Sequence, residues 1–192
     1  MEEKLSERKR MRLEGYSYNS SGAYFVTIRI QDTEFSLSNI IYPVGDGALD
    51  VPKSTDFIPF STDDPTAFDI ELSPVGKIIK KHLLASEKIE GVKIDRYIIM
   101  PDHIHAIILL DSEKYTNSLN GTSRAPSPTN QMLPHIISTF KRFCNREIGH
   151  NIFQRGYMEH IIRDPDDYET RVNFICKNPI RWYYKQIRKE QE

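Results

Sequence analysis

Cysteine, tryptophan, long apolar runs and an excess of either charge are all scarce in this 192-residue sequence. Two cysteines, Cys144 and Cys176, are too few for a disulfide framework or a thiolate metal cage. They read as small core side chains, and such sparing use fits a reducing cytoplasm. No apolar run approaches the ~20 residues that a membrane-spanning helix needs. The opening MEEKLSERKRMR has no apolar core of the kind that marks a secretory signal. A cytoplasmic protein without a membrane partner is therefore expected. The net charge of −1 does not by itself declare a nucleic-acid partner.

The charge that is present is segregated. Residues 43–72 hold seven acidic residues and one basic residue, Lys53. Residues 177–189 hold five basic residues (Lys177, Arg181, Lys185, Arg188, Lys189) and no acidic one. Lys141, Arg142, Arg146 and Arg155 add a second basic stretch. Such segregation can give a neutral chain one phosphate-binding face; basic runs at chain ends can equally be no more than solvated. The length suits one domain with a real core. We read residues 1–15 as a basic arm and 16–192 as a single domain, with irregular insertions near 43–67 and 115–130.

Periodicity supplies the elements. Gly22 to Ile30 alternates as a strand, with Tyr24, Val26, Ile28 and Ile30 on one face and Phe25, Thr27 and Arg29 on the other. Phe35 to Tyr42 reads as its hairpin partner. Short strands are expected at Ala48–Val51 and Phe68–Leu72. Ser73-Pro74 opens a helix as N-cap and first residue, with Val75, Ile78, Ile79, His82 and Leu83 at helical spacing. His82 on that stripe reads as a packed histidine. Tyr115 to Gln131 reads as a polar loop, and 132–148 as a helix with Leu133, Ile136, Ile137, Phe140, Phe143 and Cys144 inward. His160, in the stretch Phe153 to Arg163, has a structural and a DNA-contacting reading of equal weight. Asp164-Pro165 starts another helix, which Asn178-Pro179 ends. A basic, aromatic helix with Trp182, Tyr183 and Tyr184 follows.

The most informative stretch is Arg96 to Leu110, RYIIMPDHIHAIILL. Two apolar runs flank Pro101-Asp102, a pair suited to a tight turn. On the second strand His103, His105, Ile107 and Leu109 share a face. Two imidazoles two residues apart on a rigid strand can chelate a divalent metal. They can also be histidines satisfied by hydrogen bonds at a sheet end, and a bare His-x-His does not decide between the two.

Met100-Pro-Asp-His-Ile-His105 resembles the Met-Pro-Asn-His-hydrophobic-His signature of the REP-associated tyrosine transposases, which are single-tyrosine transposases of the HUH type. Gly22-Ala-Tyr-Phe-Val-Thr27, Phe153–Arg163 and Phe174–Trp182 resemble further segments of that family, in the same order. The resemblance runs from about Gly15 to Trp182, with gaps at 43–67 and 115–130. It implies an α+β, ferredoxin-like fold, a central antiparallel sheet with helices packed on its faces. It also implies a cytoplasmic transposase acting on single-stranded hairpin DNA by metal-dependent strand cleavage and transfer. His103, His105 and Asn178 would hold Mg²⁺ or Mn²⁺, in a monomer or dimer. Lys141, Arg142, Arg163, Arg171, Lys177 and Arg181 would meet DNA.

One departure bears on the chemistry. The family's last motif, Tyr-Ile-x-x-Asn-Pro, is Phe174-Ile-Cys-Lys-Asn178-Pro179 here. The family's tyrosine attacks DNA to leave a 5′-phosphotyrosine and a free 3′-OH, and a benzene ring cannot. Tyr168 is six residues away on the apolar stripe, and Tyr157, Tyr183 and Tyr184 lie outside the helix. Three functions stay open: a transposase, a binder of DNA hairpins that has lost cleavage, and an unrelated metal-dependent phosphoesterase using water. At 100° per residue, Asp167, Arg171, Phe174 and Asn178 line one face of the 165–178 helix, so Phe174 lies a turn before Asn178.

Overall fold

The computed structural model describes residues 21–31, 35–41, 69–119 and 131–190. The basic arm at 1–15, the strand expected at 48–51 and most of both insertions lie outside these. The elements run β1 (Gly22–Arg29), β2 (Ser38–Ile41), β3 (Asp69–Leu72), α1 (Pro74–Ala85), β4 (Val92–Ile99), β5 (His103–Leu110), α2 (Ser112–Leu119), α3 (Met132–Ile148), β6 (Met158–Ile162), α4 (Pro165–Cys176) and α5 (Asn178–Glu190). A 3₁₀ turn at Ser86–Lys88 links α1 to β4.

The main sheet has the order β4-β5-β1-β6, with every pairing antiparallel. Taken with α1 and α3, that is the ferredoxin-like α+β arrangement expected from the sequence. One face of the sheet carries Tyr24, Val26, Ile28, Ile104, Ala106 and Ile108, packed against α1 and α3. The other carries Phe25, Ile107 and Leu109, packed against Tyr168, Val172, Phe174 and Ile175 of α4. Strand alternation makes both divisions. The Pro101-Asp102 connection closes with Met100 N–H donating to the His103 carbonyl at 2.8 Å.

Two expectations are corrected. Residues 38–41 pair with β3 in a separate two-stranded sheet, not with β1. The reason is occupancy: β5 and β6 already take both edges of β1. Residues 112–119 are helical rather than part of a polar loop from Tyr115. Tyr115 is buried and its hydroxyl hydrogen-bonds His135 Nδ1 at 2.8 Å, a tertiary anchor that periodicity does not display.

Helix α1 begins as read, with Ser73 Oγ accepting from Gly76 N–H. Gly76 is where the small sheet meets this helix. A Cβ there would lie 1.9 Å from the Leu37 carbonyl oxygen. Helical glycine to alanine ordinarily gains up to about 1 kcal/mol. Here we expect Gly76→Ala to cost about 1–3 kcal/mol by overpacking, read as a lower urea midpoint at unchanged m-value.

Candidate metal centre and nucleic-acid face

The His103 and His105 side chains emerge from β5 on the α4 side, with ring centroids 4.5 Å apart. Each ring is held through Nδ1. Thr27, directly opposite His105 in the register, places Oγ1 at 2.8 Å from His105 Nδ1. The Asp102 carboxylate hydrogen-bonds His103 Nδ1 across the turn. Among the described residues Nε2 of neither ring has a hydrogen-bond partner. His105 is 5% exposed. Burial first, then the nearby charges of His103 and Arg29, push its pKa down to about 3 against the partial opposition of Asp102. It is therefore a neutral imidazole, the form that ligates metals. Burial works to raise the Asp102 carboxyl, but His103, Arg29 and its own backbone outweigh that and hold it below the usual value.

Aromatic rings wall this pair. Phe25 stacks on His105 at 5.2 Å, and Phe174 meets His105 edge-on at 5.2 Å and Phe25 at 5.8 Å. Trp182 of α5 lies 6.2 Å from His103 and is half-buried. Two guanidiniums cover the rings, Arg181 over Phe174 at 4.9 Å and Arg171 over Phe25 at 5.8 Å. Arg171 is also braced by Asp167, Nε to Oδ1 at 3.0 Å, and Asp167 holds His160 Nε2 at 2.7 Å. Burial would raise the Asp167 carboxyl; the His160 and Arg171 bonds hold it below the usual value. His160 thus has a structural partner. Tyr168 donates its hydroxyl to Asp95, a bond that raises its pKa, with burial adding to the effect.

One helix does not run through 174–178. Helix α4 ends at Cys176, Lys177 closes it, and Asn178 begins α5. Pro179 has no N–H to continue the α4 ladder, which explains the break. Asn178 is buried, and Trp182, one turn further along α5, faces His103. Asn178 is thus the first residue of the helix whose next turn carries Trp182. Among the described residues no third His, Cys, Asp or Glu completes a metal cluster. Two imidazoles and an amide oxygen are nonetheless a donor set that would fit a divalent ion with positions left for phosphate or water.

The expected DNA-contacting residues divide. Arg181 and Arg171 lie over the aromatic wall, and Lys177 sits at the break between α4 and α5. Arg163 lies at the start of α4, beside the Ala23 end of β1 and remote from the His103 end. Lys141 and Arg142 are on α3, across the sheet, so a single basic face through all six does not form. The Lys141 ammonium donates to the carbonyls of Gln154 and Gly156, and burial brings its pKa down to about 8. Sequence reading missed Thr27, Phe25 and Arg29 as neighbours of the histidines. Alternation grouped the three, but only the strand register says which partners they face.

No protein-family model matches the chain. A Haemophilus influenzae protein named only "Uncharacterized protein" is 28% identical over 95% of this chain and 94% of its own length. A second protein of that organism, "Putative REP-associated tyrosine transposase", is 28% identical over 48% of this chain and 52% of its own length. A solved structure of a REP-associated tyrosine transposase bound to a REP hairpin shares the fold, with TM-score 0.53 and 17% identity. That match covers 92% of this chain and 74% of the other. The resemblance read from the sequence is thus found again in the second of these relatives, and the expected fold in the solved structure. No helix among the described residues is long and apolar enough to cross a membrane.

The burial of His105 has a thermodynamic consequence. Its folded pKa of about 3 lies below the ordinary 6.5, so the unfolded chain takes up the proton first. The corresponding stability is present in full above pH 6.5 and is lost as pH falls toward 3. For metal-free protein, acidification from pH 7 to pH 5 should remove about 2 kcal/mol from this group. Urea denaturation at both pH values, with His105→Gln giving a correspondingly flatter profile, checks this.

Proposed function

We propose, on the premise that this chain is a relative of the REP-associated tyrosine transposases, that it binds hairpin-bearing single-stranded DNA across its α4–α5 face without itself cutting the strand. The observation that carries the reading is Phe174. Its ring touches His105 at the position where the family motif has its tyrosine, and it has no oxygen to attack phosphorus. The alternative, a cleaving transposase, would need a tyrosine from elsewhere. Tyr168 is committed to Asp95 on the helix's packed side, which makes it a poor substitute.

His103, His105 and Asn178 would hold Mg²⁺ or Mn²⁺. A divalent ion there supplies charge that polarises and orients a phosphate. Arg181, laid on Phe174, and Arg171, braced by Asp167, would receive neighbouring phosphates. Such contacts release counterions, so affinity for a hairpin falls as salt rises. The half-buried Trp182 ring beside His103 offers a surface for a splayed base.

Phe174→Tyr tests the reading. Phenylalanine and tyrosine fill nearly the same volume, so fold and donor set should persist. In the variant, the phenolate oxygen would bond to phosphorus while the bond from phosphorus to the 3′ oxygen breaks. The products are a 5′-phosphotyrosine and a 3′-OH. With fluorescent hairpin oligonucleotides and Mg²⁺ or Mn²⁺, a denaturing protein gel should show an adduct for Phe174→Tyr and none for the unaltered chain. An adduct from the unaltered chain would mean another nucleophile, which peptide mapping would name. A free 5′-phosphate without an adduct would point to the water-using phosphoesterase.

A further inference from the structure

The two histidines differ in how they are held, and neither anchor has a role in the reading so far. Thr27 is 7% exposed and stands opposite His105 in the β1–β5 register, with Oγ1 at 2.8 Å from Nδ1. Asp102 occupies the second turn position and reaches His103 Nδ1. We propose that Thr27 and Asp102 are positioning residues that fix both histidines as Nδ1–H tautomers, so that both Nε2 lone pairs are presented to one divalent cation. This deepens the metal reading above and rests on it.

The two anchors carry the argument to different depths. A carboxylate is an acceptor only, so its bond to His103 requires the proton on Nδ1, and in the neutral ring that leaves Nε2 bare. A hydroxyl can donate or accept, so the Thr27 bond alone does not fix the His105 tautomer. The surroundings of His105 do the rest. Phe25 covers one ring face and Phe174 abuts its edge, and among the described residues no hydrogen bond reaches Nε2. An Nε2–H there would lack a protein partner beside the second imidazole, whereas a bare Nε2 has a use as a ligand. Ligating histidines commonly donate their other N–H to an oxygen in this way, and losing that oxygen typically costs 10–100-fold in metal affinity. The family's usual turn residue is asparagine, so Asp102 here adds a full negative charge to the anchor.

The test has two readouts. Long-range ¹H–¹⁵N correlation on metal-free, ¹⁵N-labelled protein reports each histidine's tautomer directly. Calorimetric titration with Mn²⁺ reports affinity without any DNA. We expect Nδ1–H on both rings in the unaltered chain. Thr27→Val, which keeps the shape and removes the oxygen, should lose Nδ1–H on His105 and weaken Mn²⁺ by about tenfold or more. Thr27→Ser, which keeps the hydroxyl, should restore both, and it serves as the reference should Thr27→Val fold poorly. Asp102→Ala should act likewise on His103 alone. Nε2–H on either ring of the unaltered chain, or Mn²⁺ affinity unchanged in both Thr27→Val and Asp102→Ala, overturns the proposal. Nδ1–H on both rings with no Mn²⁺ binding by the unaltered chain leaves the tautomers standing, overturns the metal reading, and removes the cation the proposal assigns to them.

Discussion

The antiparallel pairing of β1 with β5 is the constraint on which everything at the site depends. Its register sets Arg29 against His103, Thr27 against His105 and Phe25 against Ile107. A slip by one residue would turn every one of these side chains to the other face of the sheet. The register is held by two apolar faces at once. Tyr24, Val26, Ile28, Ile104, Ala106 and Ile108 need α1 and α3, while Phe25 and Ile107 need α4. Burial on both sides of the central strands thus fixes the position of a polar pair at their end.

Helix α4 turns that fixed pair into a site. Asp164 accepts from the Asp167 backbone and starts the helix, and the same Asp167 side chain ties it to His160 on β6. Tyr168 ties it to Asp95, where β4 carries its bulge. With both ends of its first turns anchored, the helix delivers Phe174 against His105. The break at Lys177 then lets α5 set out from Asn178, bringing Trp182 beside His103 and Arg181 over the phenyl ring. A continuous helix would have kept Asn178 on the α4 axis.

Much of this was legible in the residues. Alternation in 22–30 and 103–110 gave both sheet faces, and Ser73-Pro74 and Asp164-Pro165 gave the helix starts. The shared face of His103 and His105 followed from spacing alone. What stayed hidden depends on non-local partners. Residues 38–41 could be read as a strand, but not assigned to β3 until both edges of β1 were seen to be filled. Tyr115 looked like loop because one buried side chain in a polar segment makes no period. Lys141 and Arg142 looked continuous with the basic C-terminal helix, since a sequence does not say which side of a sheet a helix packs on. Thr27 closes a segment that resembles the family, but it became a partner of His105 only through the register.

The central claim, that DNA is received on the α4–α5 face, is tested most directly by charge reversal on the two sides of the sheet. Hairpin binding would be followed by fluorescence anisotropy at fixed salt for Arg181→Glu on α5 and Arg142→Glu on α3, each with a thermal melt to establish folding. The account predicts a loss of tenfold or more for Arg181→Glu and a change of no more than about twofold for Arg142→Glu. Equal losses from both, or a loss from Arg142→Glu alone, would contradict it.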